Sequence, residues 1–305
     1  MSGYILRRMI LAVPLLLGLA TIVFSLIHLI PGDPVEVMLG PGAGTGDIED
    51  LRARLGLDRP LLAQYGTYLE GLAKGDLGTS LRYRDPVAGL IAERYPATLV
   101  LAAASMLLAL SLAFPIGIAS AMRPAGSIDR LARLASALAL SLPSFWLGPL
   151  LILLFAIRLG WLPISGMDSP RSVLLPAVTL GLPLAALLTR LLRSSLLEEM
   201  GAPHLRAARS RGLSSLAATF RHALRNALAP VVTVAGLQIG SLLTGAILTE
   251  TVFAWPGLGR LLVQAIAYRD YPLVQGCVLS IAGTYVLVNL ATDLVHGLLD
   301  PRLGS

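Results

Sequence analysis

Six stretches of the chain carry almost no charge: residues 9–30, 97–122, 134–157, 173–189, 227–249 and 273–292. Each is about 17–26 residues long, the length a helix needs to cross the ~30 Å hydrocarbon layer of a bilayer. Backbone N–H and C=O groups find no water there, so each stretch is predicted to be a helix that satisfies its own hydrogen bonds. The fourth is the shortest, and the last is expected to continue towards Leu299. Arg7 and Arg8 precede the first run as in a signal peptide. That run is too long for one, and IPGDP follows in place of a small-residue cleavage site, so an uncleaved span is expected.

Two of the intervening segments are more than turns. Within residues 31–95, LRARLGLDRPLLAQYGTYLEGLAKG reads as two short amphipathic helices. Asp47 suits an N-cap, and Pro60 suits the first turn of the second helix. GDLGTSLRYRDP then has turn residues at both ends and fits a short strand or hairpin. In residues 253–272, Pro256 and Gly257 precede LGRLLVQAIAYRDY, a short helix with one apolar face that lies on or dips into the membrane. The pattern predicts an all-α membrane protein with six transmembrane helices. Residues 1–30 form the N-terminus and first span, 31–95 an insertion after it, and 96–305 a five-helix core.

Composition supports the bilayer. Of 305 residues, 55% are hydrophobic and 14% charged, with a mean hydropathy of +0.74; a soluble domain carries about a quarter charged residues. The net charge of +6 and pI near 9.9 would suit a nucleic-acid binder. Here the arginines flank apolar runs instead, and no nucleic-acid partner is expected. With the N-terminus inside, the inner segments hold thirteen Arg/Lys against four Asp/Glu, and the outer segments eleven against thirteen. This positive-inside bias places both termini in the cytoplasm and residues 31–95 in the periplasm.

Catalytic chemistry is missing from the sequence. A P-loop needs a lysine beside Ser or Thr after a glycine-rich turn, and the single lysine, Lys74, stands between Ala73 and Gly75. No zinc-protease, nucleophile-elbow or Cys/His cluster pattern occurs. His28, His204, His222 and His296 are far apart, and the one cysteine, Cys277, reads as a packing residue. No cofactor or metal is expected in this chain.

Three polar or small-residue patterns remain inside the spans. Asn289, Asp293 and His296 form one helical stripe, read as an interhelical polar clamp or a proton relay. Gln238, Ser241 and Thr244 recur on the fifth span, and Ser141 and Ser144 lie on the third. They suit a translocation path for a peptide backbone or interhelical hydrogen bonds. Gly236, Gly240 and Gly245 permit close helix contact, within the chain or with a second subunit.

The loop between the fourth and fifth spans reads EEMGAPHLRAARSRGLSSLAATFRHALRN. It is expected to be mainly helical, broken at Gly201-Ala-Pro and at Gly212. Small Ala207 and Ala208 let the helix sit close inside a partner's groove, and Gly212 permits a sharp turn. Arg206, Arg209 and Arg211 surround this patch and suit acidic groups on a partner. On residue chemistry alone the loop binds lipid headgroups or docks another protein.

The loop resembles the coupling loop of ABC importer permeases, whose motif runs Glu-Ala-Ala-x3-Gly. Ala207, Ala208 and Gly212 match; Arg206 stands at the glutamate position, so no contact of that glutamate carries over. Further blocks resemble the dipeptide/oligopeptide branch of the family: PGDP at 31–34, GLDRPLLAQY at 56–65, GDLGTSL at 75–81, PATL at 96–99, SLPSFWLG at 141–148, LGWLPISG at 159–166, ETVFAWPGLGRLL at 250–262, RDYPLVQG at 269–276 and VNLATDLVHGLLDPR at 288–302. The resemblance implies a type I ABC importer permease fold, with residues 193–226 as the cytoplasmic coupling loop. It implies the first of two permease subunits, working with a second homologous permease, two ATPases that hold ATP and Mg, and a periplasmic substrate-binding protein. Di- or oligopeptides are the implied substrates, with nickel chelates or glutathione as alternatives. A proton-coupled secondary transporter is the remote rival, and the absence of an internal repeat counts against it.

Overall fold

The computed structural model describes residues 2–28, 34–40, 42, 44–54, 56–210 and 212–299; side chains are described for most of these. Among the described residues the regular structure is entirely helical, with one isolated antiparallel bridge, Thr79 to Pro86. The helices are α1 (Ser2–His28), α2 (Pro34–Leu39), α3 (Thr45–Arg54), α4 (Leu61–Ala73), α5 (Val87–Met122), α6 (Ser127–Ser141), α7 (Ser144–Leu151), α8 (Leu174–Met200), α9 (Pro203–Ser210), α10 (Ser215–Ala218), α11 (Leu224–Val252), α12 (Leu258–Ala267) and α13 (Tyr271–Leu299). Two compact units divide them: Met1–Thr98 with Pro256–Leu287, and Leu99–Trp255 with Val288–Ser305.

Among the described residues, α5, α8, α11 and α13 are long and apolar enough to cross a membrane. The run at 134–157 is not one straight rod. α6 and α7 are bent by 104° relative to each other, and count as a fifth crossing only if taken together. The cause is Pro143, which disfavours the helical region for the residue before it; Leu142 accordingly sits at ψ 120°. α7 then continues through a π-helical stretch, Ile152–Arg158. The run at 9–30 falls on α1, whose described apolar part is the shorter stretch Ile10–Ser25.

In the first unit, α4 lies against α1. The Thr21 and Tyr65 hydroxyls share a 2.6 Å hydrogen bond, and the Phe24 ring sits 5.2 Å from Tyr65 and 5.5 Å from Tyr68. The Tyr68 hydroxyl is buried without a partner among the described residues. Burial, aided by the neighbouring Tyr65, pushes it up to about 12. Two cap expectations are corrected here. α3 begins at Thr45, so Asp47 lies inside the first turn, where a carboxylate suits the helix dipole. Pro60 is the residue before α4, not a member of its first turn.

In the second unit α8 is the central helix, flanked by α6, α7 and α11. Its buried face runs from Leu175 to Leu196, with Leu188, Leu192 and Leu196 fully enclosed. Gly181 lets α5 approach closely: a Cβ there would lie 2.7 Å from the Ser105 carbonyl oxygen. Outward-facing Leu131, Leu134, Leu138, Phe145 and Ile157 stay exposed, as expected of surfaces solvated by lipid or covered by another subunit.

Candidate coupling site

α8 does not stop at Thr189, where the fourth apolar run ends; it continues to Met200. Gly201 caps it, and Pro203 opens α9 with its fixed φ. α9 is anchored on one side by Leu205, which is fully buried, while Arg206 and Ala207 are exposed. The side chains of Ala208 and Arg209, and all of Arg211, lie outside the described residues. Gly212 adopts φ +92° with nothing within 4 Å of a would-be Cβ. The left-handed region is costly for other residues, so backbone conformation, not space, explains this glycine. The chain then returns through α10 and a π-helical turn, Thr219–Ala223, into α11.

Polar contacts fix the base of this hairpin. The Asn226 amide donates to Glu199 at 3.1 Å, and His204 Nε2 lies 3.5 Å from the same carboxylate. The two breaks, the helical character and the exposed Arg206–Ala207 step therefore stand where the sequence puts them. What results is a short helix, tied at its base, that presents a small residue and a guanidinium outward.

The residues considered for a path are dispersed. The Ser141 hydroxyl bonds back to the Ala137 carbonyl at 2.9 Å, and Thr244 to Gly240 at 3.3 Å. Ser241 and Thr244 are exposed on α11, while Gln238 and Ser144 are half-buried. Gly236 packs within the chain: a Cβ there would fall 2.5 Å from the Thr292 methyl group of α13. Gly240 is buried, and the surroundings of Gly245 lie outside the described residues. So do the side chains of Asp293 and His296; Asn289 Oδ1 is buried with no partner among the described residues.

Sequence reasoning missed three buried acids, Asp129, Glu250 and Asp270. Glu250, counted with the outer segment, lies inside α11 and is fully buried. Asp270, also fully buried, knits two motifs that looked separate, GDLGTSL and RDYPLVQG. Its carboxylate accepts from the Ser80 hydroxyl at 2.5 Å, the Arg82 amide at 3.1 Å and the Leu273 amide at 3.3 Å. Nearby, Arg82 stacks over Tyr268 at 4.8 Å, and the Leu258 amide donates to Thr98 Oγ1 at 2.8 Å. The one local signal was that both motifs are rich in turn residues.

A multi-helix membrane protein whose central helix extends into an exposed helical hairpin is the class that these features define. The chain belongs to the binding-protein-dependent transport system inner membrane component family: the family model matches residues 113–305, and that of its N-terminal region matches 1–102. It is 40% identical to the dipeptide transport system permease protein DppB of Alkalihalophilus pseudofirmus, with 99% of each chain covered. It is 41% identical to the di/tripeptide transport system permease protein DppB of Pseudomonas aeruginosa, again over 99% of both. The glutathione transport system permease protein GsiC of Salmonella paratyphi A is 42% identical over 99% of both. Among solved structures, a chain of the MetNI methionine ABC transporter in an inward-facing conformation matches with a TM-score of 0.57 at 19% identity. That match covers 69% of this chain and 96% of the other.

Proposed function

We infer that this chain is a permease subunit of an ATP-driven importer of di- or oligopeptides, and that it works beside a second permease, two ATPases and a periplasmic binding protein. In this reading it crosses the membrane six times, α1 and the bent α6–α7 pair included, with both termini in the cytoplasm. ATP and Mg belong to the ATPases. Relatedness over 99% of its length to peptide permeases carries the reading. The hairpin at α9 supports it, because a chain without a P-loop must receive work from a partner, and α9 offers the surface for that. Arg206, Ala207, Ala208, Arg209, Arg211 and Gly212 form the coupling patch. Nucleotide-driven closure of the ATPases moves α9, and with it α8, so that two arrangements of the helices exchange. Ser141, Ser144, Gln238, Ser241 and Thr244 are offered as path residues.

The similarity to GsiC keeps glutathione as a second substrate reading. One experiment decides between them. The chain is reconstituted in proteoliposomes with its partner subunits and binding protein, and ATP-dependent uptake of labelled dipeptide and of labelled glutathione is compared. Dipeptide uptake is expected; uptake of glutathione alone would move the assignment, and uptake by the isolated chain would end the importer reading.

A further inference from the structure

An ion pair in the second unit joins α8, two helical turns before its α9 end, to the turn between α5 and α6. Asp129 is fully buried, and Arg193 grips it with two hydrogen bonds, Nε to Oδ1 at 2.5 Å and Nη2 to Oδ2 at 2.9 Å. The same carboxylate accepts the Ala125 amide at 2.9 Å, so the turn itself is held, with Ala125 at φ +60°. Arg133 lies 3.6 Å away on the following turn of α6. Asp129 precedes the apolar run that starts at residue 134.

Three features make this more than a surface pair. The forked guanidinium geometry fixes orientation as well as distance. The neighbouring residue of α8, Leu192, is fully buried, and a Cβ on Gly117 of α5 would lie 3.1 Å from it. And α8 runs unbroken from Leu174 to Met200, a rod of about 40 Å, so that Arg193 stands two helical turns from the end that carries α9. Arg193 therefore links the part of α8 that leads into α9 to the Asp129 carboxylate, and through it to the Ala125 amide between α5 and α6.

We propose that Asp129 and Arg193 are positioning residues that lock the α5–α6 turn to α8, so that movement of the docking hairpin is passed to α5 and α6 as one body. This rests on the reading of α9 as the ATPase docking element.

The test uses the assembled transporter. Spin labels on Leu131→Cys of α6 and Arg190→Cys of α8, in a Cys277→Ser background, report the spacing across the lock. With the lock intact, that spacing is expected to differ by less than about 2 Å between nucleotide-free and ATP-bound states, within the range of a local helix shift. A larger change overturns the proposal, whatever the variants do. Asp129→Asn and Arg193→Gln are expected to lower the ratio of substrate-stimulated to basal ATP hydrolysis by about fivefold or more, the lower bound of a typical coupling effect. In both, crosslinking from Ala207→Cys to the ATPases is retained, which separates loss of coupling from loss of docking. A wild-type ratio in both variants also overturns the proposal. Absence of that crosslink in the chain with its lock intact refutes the docking reading, and this proposal with it.

Discussion

Gly212 offers the sharpest perturbation of the α9 hairpin. Its φ of +92° lies where a β-branched residue is an outlier. Nothing stands within 4 Å of a would-be Cβ, so Gly212→Val meets no steric obstacle and its cost is backbone strain alone. Such strain is about 1–3 kcal/mol. Since about 1.4 kcal/mol is a tenfold change in an equilibrium, the native turn loses roughly one to two orders of magnitude in population relative to its competitors. Gly212→Asn, whose side chain tolerates left-handed backbone, should lose much less. The assay is substrate-stimulated ATP hydrolysis by the assembled complex. Basal hydrolysis should be near wild type in both variants, and Gly212→Val should melt only slightly earlier, because the turn is exposed and can relax locally. Stimulation should be largely retained in Gly212→Asn and abolished in Gly212→Val. Wild-type stimulation in Gly212→Val, or equal loss in both, would show that the turn does not transmit work.

Other sites give independent expectations. Gly181→Val drives a side chain against the Ser105 carbonyl, and overpacking of this kind costs about 1–3 kcal/mol or more; the purified chain should melt earlier, and an unchanged melting curve would contradict the packing of α5 on α8. Asp270→Ala removes the acceptor for three donors, each charge-assisted bond being worth about 1.5–3 kcal/mol; hydrogen exchange in residues 79–84 should quicken, with Ser80→Ala giving a smaller effect in the same place. Cys277 is fully buried, so maleimide should label the native protein slowly and the denatured protein fully; rapid labelling would place α13 differently.

Much of the fold was legible because a bilayer imposes a length and a composition on whatever crosses it. The runs at 97–122, 173–189, 227–249 and 273–292 each lie within a long helix, and the run at 134–157 is helical but bent. The bend could have been read from Leu142–Pro143, since proline restricts the residue before it; an apolar run marks hydrophobic extent and says nothing of direction. The helix ends were less legible. α8 overruns its apolar run because LLRSSLLEE retains helix-forming residues and a buried Leu192 and Leu196 after the membrane pattern fades.

The α9 hairpin was readable as a shape because its punctuation is local: Gly201 with Pro203, and Gly212, act on their own backbone. Asp129 with Arg193, 64 positions apart, and Asp270 with Ser80, 190 apart, left no such trace. Each pair is defined only once helices pack, and in the sequence Asp129 and Arg193 were two more charges in two separate arginine-rich segments. The small-residue pattern at Gly236 was visible, but its partner, Thr292, is set by how α13 lies against α11.

Partner ATPases are proposed to move this chain through α9. The direct measurement is site-specific crosslinking from Ala207→Cys, in a Cys277→Ser background, in membranes containing the whole transporter. A crosslink to the ATPase subunits, with a yield that changes on ATP binding, is the predicted result. Capture of the periplasmic binding protein at that position, or of no subunit at all while the same membranes import peptide, would contradict it.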